Sequence, residues 1–230
     1  MAAGAEAGIA EIRPSVCGAT GTLRVTACGS MGRAVLMPTL TELMRSNPDL
    51  RVDLVLTDAV LDLAATGVDV AVRIGDLRDS NLVATSLGTK RRILCAAPSY
   101  LASRPAPRRL SDLAGHECIT PPDAQQWSFT VGAQERTVRA GGRLTVSSFE
   151  GVHDACIAGA GIAMLSSWYT RGHLAAGQLV SVELEDARPK ELAVWAVYPT
   201  RRQLLPKVRV FVDAMREALS LDDSGLTEAA

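Results

Sequence analysis

The stretch TLRVTACGSMGRAVLMPTLTELMRSNPDLRVDLVL, residues 22–56, decides the fold. It opens on a run rich in branched residues, TLRVTA (22–27), which reads as a buried strand. The turn CGSMG follows, and then Val35, Leu36, Leu40, Leu43 and Met44 recur at helical spacing. Pro38 falls early in this helix, where its missing donor is tolerated or causes a slight kink. NPDL stops the helix, and RVDLVLT (51–57) alternates as the next strand. DAVLDLAATG reads as a short helix with Asp58 as its cap and Gly67 as its stop, and VDVAVRIG (68–75) as a third strand. Residues 22–75 therefore read β-α-β-α-β, which predicts a parallel sheet with right-handed crossovers.

Working outward, RRILCAA (91–97) reads as a strand that enters a second α/β block. PSYLAS and RLSDLAGH read as short helical pieces. ECITP, QQWSFTV, RTVRAGGRLTVSS, IAMLS, QLVSVEL and ELAVWAVYP read as strands. SFEGVHDACIAGAG is a helix capped by Ser147 or Ser148, and LPKVRVFVDAMREAL (205–219) is amphipathic, with Val208, Phe211, Val212, Met215 and Leu219 facing inward. The expected organisation is an arm at 1–20, lobe I at 21–97 and 199–220, lobe II at 98–198, and a disordered tail at 221–230. Two chain crossings between two α/β lobes make a hinged clamshell. Ligands of such sheets bind outside the carboxyl ends of the strands, here between the lobes.

The 230 residues carry 24 Lys and Arg against 25 Asp and Glu, so no global field recruits nucleic acid or an anionic membrane. No apolar run is long enough for a membrane span, and the N-terminus lacks a basic segment followed by an apolar one, so the expected location is the cytoplasm. The cysteines are 5, widely spaced and without C-x-x-C, which reads as reduced, mostly buried thiols.

The turn CGSMG invites three chemistries. A nucleophile elbow needs G-x-S-x-G, but Cys28 holds the first glycine position, and His116, His153 and His173 offer Ser30 no base motif. A P-loop lacks its G-K-[ST], and Gly29 and Gly32 do not make a dinucleotide fingerprint. What survives is the helix start, whose free amides and Ser30 hydroxyl suit a small anion; the competing reading is that Ser30 only caps its own helix. Strand-end reasoning adds Thr57, Arg73, Ile74 and Thr120, with Arg73 suited to an anionic ligand or to an ion pair with Asp76. Ser148 and Phe149 begin the helix of the other lobe and would face the same cleft, Phe149 as an aromatic wall. Trp127 is expected to pack within lobe II. His116 with Cys118, and His153 with Cys156, would make a zinc site only if the two pairs met. The run TKRR (89–92) reads as a solvated face.

Several ordered fragments carry a family resemblance: GTLRVTA, LMPTLTELMRSNPDLRVDLVL, DVAVRIGDL, LCAAPSYLASRPAPRRLSDLAGHECI, ACIAGAGIAMLSSW, GQLVSVE and AVYPTRRQLLPKVRVFVDAM. Over roughly residues 21–220 the series resembles the effector-binding domain of LysR-type transcriptional regulators. The resemblance implies an α/β, two-lobed type 2 periplasmic-binding-protein-like fold with two crossover strands and an inter-lobe cleft. It implies transcription regulation by a small-molecule effector, anionic or aromatic, bound between the lobes and coupled to oligomer geometry. The ligand-binding residues expected are Cys28, Ser30, Met31, Thr57, Arg73, Ile74, Thr120, Ser148 and Phe149, with no catalytic residue, no metal and no cofactor. Partners implied are a second copy, as homodimer or tetramer, through residues 33–46 with Met37, Met44 and Arg45. Residues 1–20 are too few for a winged helix-turn-helix and linker helix, so DNA is expected to be met only through a domain absent from this chain. The same fold would also serve a cytoplasmic or periplasmic solute-binding protein. A thiol redox sensor using Cys28, Cys118 or Cys156, or a hydrolase, is the remaining alternative.

Overall fold

The computed structural model describes residues 18–57, 59, 63–76, 82–199 and 205–224. Asp58, most of the 1–20 arm with Cys17, and residues 225–230 lie outside them. Strands β1 (Gly21–Ala27), β2 (Leu50–Leu56) and β3 (Val70–Ile74) pair in parallel in the order β2-β1-β3, with the short helix α3 (Leu63–Thr66) between β2 and β3, as the β-α-β-α-β pattern predicts. Leu23, Val25 and Ala27 are buried on one face of β1, while on the other Thr26 is buried and Arg24 exposed.

Between β1 and β2 the chain turns through α1 (Gly29–Met31), a π-helical stretch (Gly32–Leu36) and α2 (Met37–Ser46). Pro38 sits in the first turn of α2. A proline ring crowds the carbonyl four residues back, here Ala34, and that carbonyl lies in the widened π-helical stretch. Asn47 ends α2, donating from Nδ2 to the Leu43 carbonyl at 2.9 Å and accepting the Ala19 amide at 2.8 Å. Ala19 is consequently 2% exposed and packs in the lobe I core, so the last residues of the expected arm belong to the lobe.

Two elements have no counterpart in the sequence reading. The segment VATSLGTK forms a strand, β4 (Val83–Lys90), and SWYTRGHLA forms helix α6 (Ser167–Ala175). β4 and β12 (Leu192–Tyr198) complete the lobe I sheet as antiparallel members, in the order β2-β1-β3-β12-β4. Lobe II contains β5 (Arg92–Ala96), α4 (Pro98–Ser103), a 3-10 turn (Leu110–Gly115) and β6 (Cys118–Ile119). It continues through β7 (Gln126–Val131), β8 (Gln134–Arg139), α5 (Phe149–Ile157) and β9 (Ile162–Ser166). After α6 come only the two-residue strands β10 (Val180–Ser181) and β11 (Arg188–Pro189).

Sheet membership moves the expected lobe boundaries. β5 pairs with β9 and β10, so residues 92–96 belong to lobe II, while β12 belongs to lobe I. The chain thus crosses at Arg91 and again between Pro189 and Leu192. Backbone pairing, which local composition does not report, decides on which side of each crossing a residue falls. Beyond β8, LTVSS forms no strand; Thr145 makes only an isolated bridge to Thr120.

Helix α7 (Pro206–Ser224) returns to lobe I and runs past the expected end at 219. Its residues Val208, Phe211, Val212, Met215 and Leu219 are at most 3% exposed in the lobe I core. Lys207 fixes its start, donating to the Thr22 carbonyl and to Asp69, both at 2.6 Å. Asp69 also accepts the Arg24 amide at 2.8 Å, so these mostly buried charges are paired and hydrogen-bonded. Lobe II has its own core around Leu94, Trp127, Phe129 and Ile162. Trp168 of α6 reaches across from lobe II and packs against the lobe I core.

Candidate functional site

Parallel pairing brings the carboxyl ends of β1, β2 and β3 to one rim. Ala27 lies opposite Leu56, and the Thr57 amide donates to the Ala27 carbonyl at 2.9 Å. The residues at or just beyond these ends, Cys28, Ser30, Thr57, Arg73 and Ile74, line one wall of a cleft of about 310 Å³. The opposing wall is built by lobe II from Pro121, Asp123, Ala124, Ser147 and Phe149, with Lys90 and Leu192 at the crossings. Among the described residues, no histidine lines it.

The helix start on the lobe I side carries no side-chain cap. Cys28 occupies the cap position in extended geometry (φ −68, ψ 150), and no side chain there bonds the first amides. Those amides lack intrahelical partners and sit at the positive end of the helix. Ser30 is 5% exposed, with Cys28 Sγ 3.8 Å from its hydroxyl. Gly29 lets the lobes approach: a Cβ there would run into the Glu150 carboxylate at the start of α5.

Arg73 donates from Nη1 to the Val72 carbonyl at 3.3 Å, whereas its Nη2 is buried with no hydrogen-bond partner among the described residues. Burial lowers its pKa from the ordinary arginine value, opposed by nearby Cys28 rather than by the Asp76 expected to pair with it. A guanidinium stays protonated at any working pH, so a buried, unpartnered N–H of a cation is costly until an anion meets it. Lys90 is 8% exposed, with Nζ 5.3 Å from the Phe149 ring centre and 6.0 Å from that of Trp168. This contradicts the reading of TKRR as a solvated face: a strand that crosses between lobes carries its last side chain into the seam. Arg92 is turned inward too, donating to the Lys190 and Ser128 carbonyls at 2.7 and 3.2 Å.

Three expected residues do not line the cleft. Met31 is fully buried in the lobe I core, because one turn into the helix the side chain faces the sheet. Ser148 caps α5, its Oγ accepting the Gly151 amide at 3.1 Å, and Ser147 takes its place on the wall. Thr120 is 1% exposed with an unpartnered hydroxyl, and the next residue, Pro121, reaches the cleft instead.

The histidine–cysteine pairs do not meet. His116 Nδ1 lies 3.1 Å from the Tyr100 hydroxyl, while His153 packs near the rings of Tyr169 and His173 at 4.5 and 4.7 Å. Among the described residues, no group of three or more His, Cys, Asp or Glu could hold a metal ion. Burial pushes the Cys95 and Cys156 thiols up to about 12 and the Cys118 thiol up to about 11, which leaves them nearly free of thiolate. Of the thiols considered for redox sensing, only Cys28 reaches the cleft.

Two α/β lobes joined by two crossings, with a cleft at the carboxyl ends of the strands, define a two-lobed ligand-binding domain of the periplasmic-binding-protein type. The chain belongs to the LysR substrate binding domain family, which it matches over residues 18–220. It is 35% identical over 201 residues to the HTH-type transcriptional regulator DmlR of Escherichia coli K12, covering 86% of this chain and 65% of that protein. It is 32% identical over 201 residues to the HTH-type transcriptional regulator CrgA of Neisseria meningitidis, covering 86% of this chain and 67% of that one. The solved regulatory domain of CrgA superposes with a TM-score of 0.77 at 30% identity, over 87% of this chain and 99% of that one. The full-length structure of the Vibrio cholerae virulence activator AphB superposes with a TM-score of 0.74 at 30% identity, over 86% of this chain and 68% of that chain. The chain is therefore a LysR-type effector-binding domain, spanning just under two thirds of the length of DmlR. Among the described residues, no helix is long and apolar enough to cross a membrane.

Proposed function

We propose that the cleft binds a small organic anion through Arg73, the Ser30 hydroxyl and the uncapped amides at the start of α1. The observation that carries this reading is Arg73, a guanidinium on the cleft lining whose Nη2 is buried with no acceptor among the described residues. Lys90 adds a second positive charge; among the described residues Asp123 supplies the carboxylate of the lining, and that of Glu150 lies against Gly29 at the start of α1. Charge-assisted hydrogen bonds to a ligand carboxylate would satisfy the donors that the protein leaves open.

The reaction class is binding rather than turnover: Ser30 has a thiol as its neighbour and, among the described residues, no histidine on the cleft wall to act as base. An anion that bridges both walls favours the closed arrangement of the lobes, and a second copy can transmit that change. Met37, Met44, Val55 and Leu56 are exposed on α2 and the edge strand β2, the face on which a homodimer or tetramer would form. Control of transcription would follow through a DNA-binding segment joined to this domain.

Titration calorimetry with acetate, propionate and succinate tests the reading. We expect saturable binding by at least one of them. Arg73→Met should weaken it by about tenfold or more, since a hydrogen bond to a charged group is worth about 1.5–3 kcal/mol. Unchanged affinity in that variant would remove Arg73 from the site.

A further inference from the structure

The cleft does not end at Phe149. Behind it lies a second chamber of about 170 Å³, walled by Ile119, Trp127, Val152 and Met164 of lobe II. None of these four is more than 6% exposed. The two spaces share Lys90, Phe149 and Leu192, together with Pro121 and Ala124, so these residues form a partition between chambers.

The deep side chains beyond that partition differ from those of the cleft. On the cleft side stand Arg73, Ser30 and Thr57. On the far side the deep walls are hydrocarbon, indole and thioether. Arg92 also borders this space, its Nε and Nη2 donating to the Lys190 and Ser128 carbonyls. Gln126, another polar member of the lining, is exposed. Apolar cavities of about 150 Å³ accept a benzene ring, so this chamber has room for one.

We propose that the effector is bipartite: a carboxylate held in the cleft, carrying a ring-sized apolar group that seats behind Phe149 among Ile119, Trp127, Val152 and Met164. The proposal rests on the cleft being the anion site. Phe149 and Lys90 are then positioned to meet the neck of the ligand, the ring edge-on or stacked and the ammonium near the carboxylate. Selectivity between acids of equal charge would be set in lobe II, by residues that never touch the carboxylate.

Titration calorimetry on the same domain compares propionate, 3-phenylpropionate and the neutral 3-phenylpropanol. The expected result is that 3-phenylpropionate binds at least tenfold tighter than propionate, each buried methylene being worth about fourfold. Val152→Phe fills the chamber and should erase that advantage while leaving propionate affinity unchanged. Should Val152→Phe fail to fold, Met164→Ala enlarges the chamber instead, and 2-naphthylacetate should gain on 3-phenylpropionate. Equal affinity for propionate and 3-phenylpropionate would overturn the proposal while leaving the anion site standing. An advantage for 3-phenylpropionate that survives Val152→Phe, or an unshifted preference in Met164→Ala, would likewise overturn it. No binding of any carboxylate would overturn the anion site itself, and 3-phenylpropanol binding as tightly as 3-phenylpropionate would overturn the carboxylate half.

Discussion

The two helix starts that face each other across the cleft have similar surroundings and opposite fates. In lobe II, Ser148 turns its hydroxyl back onto the Gly151 amide and Glu150 places an acid in the first turn, so α5 meets its own needs. In lobe I, Cys28 stands in the cap position and bonds none of the helix amides, and the serine lies two residues later, inside the helix. The difference is one of register. A serine at the cap stabilises the fold; a serine two positions on leaves the amides open and presents its hydroxyl with them. The first is a structural device, and the second is the one that the proposed anion site uses.

The sharpest way to break that contrast is through the cysteines of the two helix regions. Cys156 on α5 is fully buried with its pKa pushed up to about 12, and its thiolate fraction at pH 7 is on the order of 10⁻⁵. Iodoacetamide should therefore leave Cys95, Cys118 and Cys156 unmodified in the native domain and label them on unfolding, as peptide mass mapping would report. Cys28 is half-buried at the cleft, and its labelling should slow when a carboxylate is bound. Native labelling of Cys156 at the rate of Cys28 would refute the difference.

The two serines offer a crossed test of smaller size. Ser148→Ala should cost about 1 kcal/mol of folding stability, the usual cost of a lost cap. Ser30→Ala should change stability by less than about 0.5 kcal/mol, because Ser30 caps nothing, yet weaken carboxylate binding by about three- to tenfold. Chemical denaturation and calorimetry on both variants would measure the pair; a stability loss at Ser30 equal to that at Ser148 would erase the contrast.

The smallest effect concerns pH. His153 lies on α5, 3% exposed, facing Tyr169 and His173 of α6 and Asp154 beside it, with Nε2 unpartnered. Burial holds its pKa below the usual 6.5 against the pull of Asp154, and burial lowers His116 likewise. The unfolded chain therefore takes up these protons first as pH falls. Stability is complete above about pH 7, declines as pH drops through about 6.5, and levels once the folded rings protonate. Melting temperature should fall as pH is lowered from about 7.5 to about 5.5, less steeply in His153→Gln. An equal slope in that variant would acquit His153.

Much of lobe I is legible in the sequence because its strands are dense in branched residues and α7 is strongly amphipathic. β4 is not, since VATSLGTK is small and polar and contains Gly88; it becomes a strand only by pairing with β12, far later in the chain. α6 escapes for a similar reason, its large apolar contact being Trp168 against the other lobe. At the site, strand ends point to Cys28, Thr57, Arg73 and Ile74, because parallel pairing sends such ends to one rim. Helix phase decides Met31 and Ser148 against that expectation. Lys90 is hidden in a basic run, since what covers it, the rings of Phe149 and Trp168, lies far along the chain.

One feature of the topology bears on how the chain is made. β12, the last strand among the described residues, lies inside the lobe I sheet between β3 and β4, and α7 after it completes that lobe's core. Lobe II, by contrast, is an unbroken segment, 92–189. During synthesis, then, the second lobe can close while the first still waits for β12 and α7. A nascent chain stalled with residues 1–191 outside the ribosome should show lobe II protected from protease and β1–β3 still open to it. Equal protection of both would mean that the early strands hold together without their late partner.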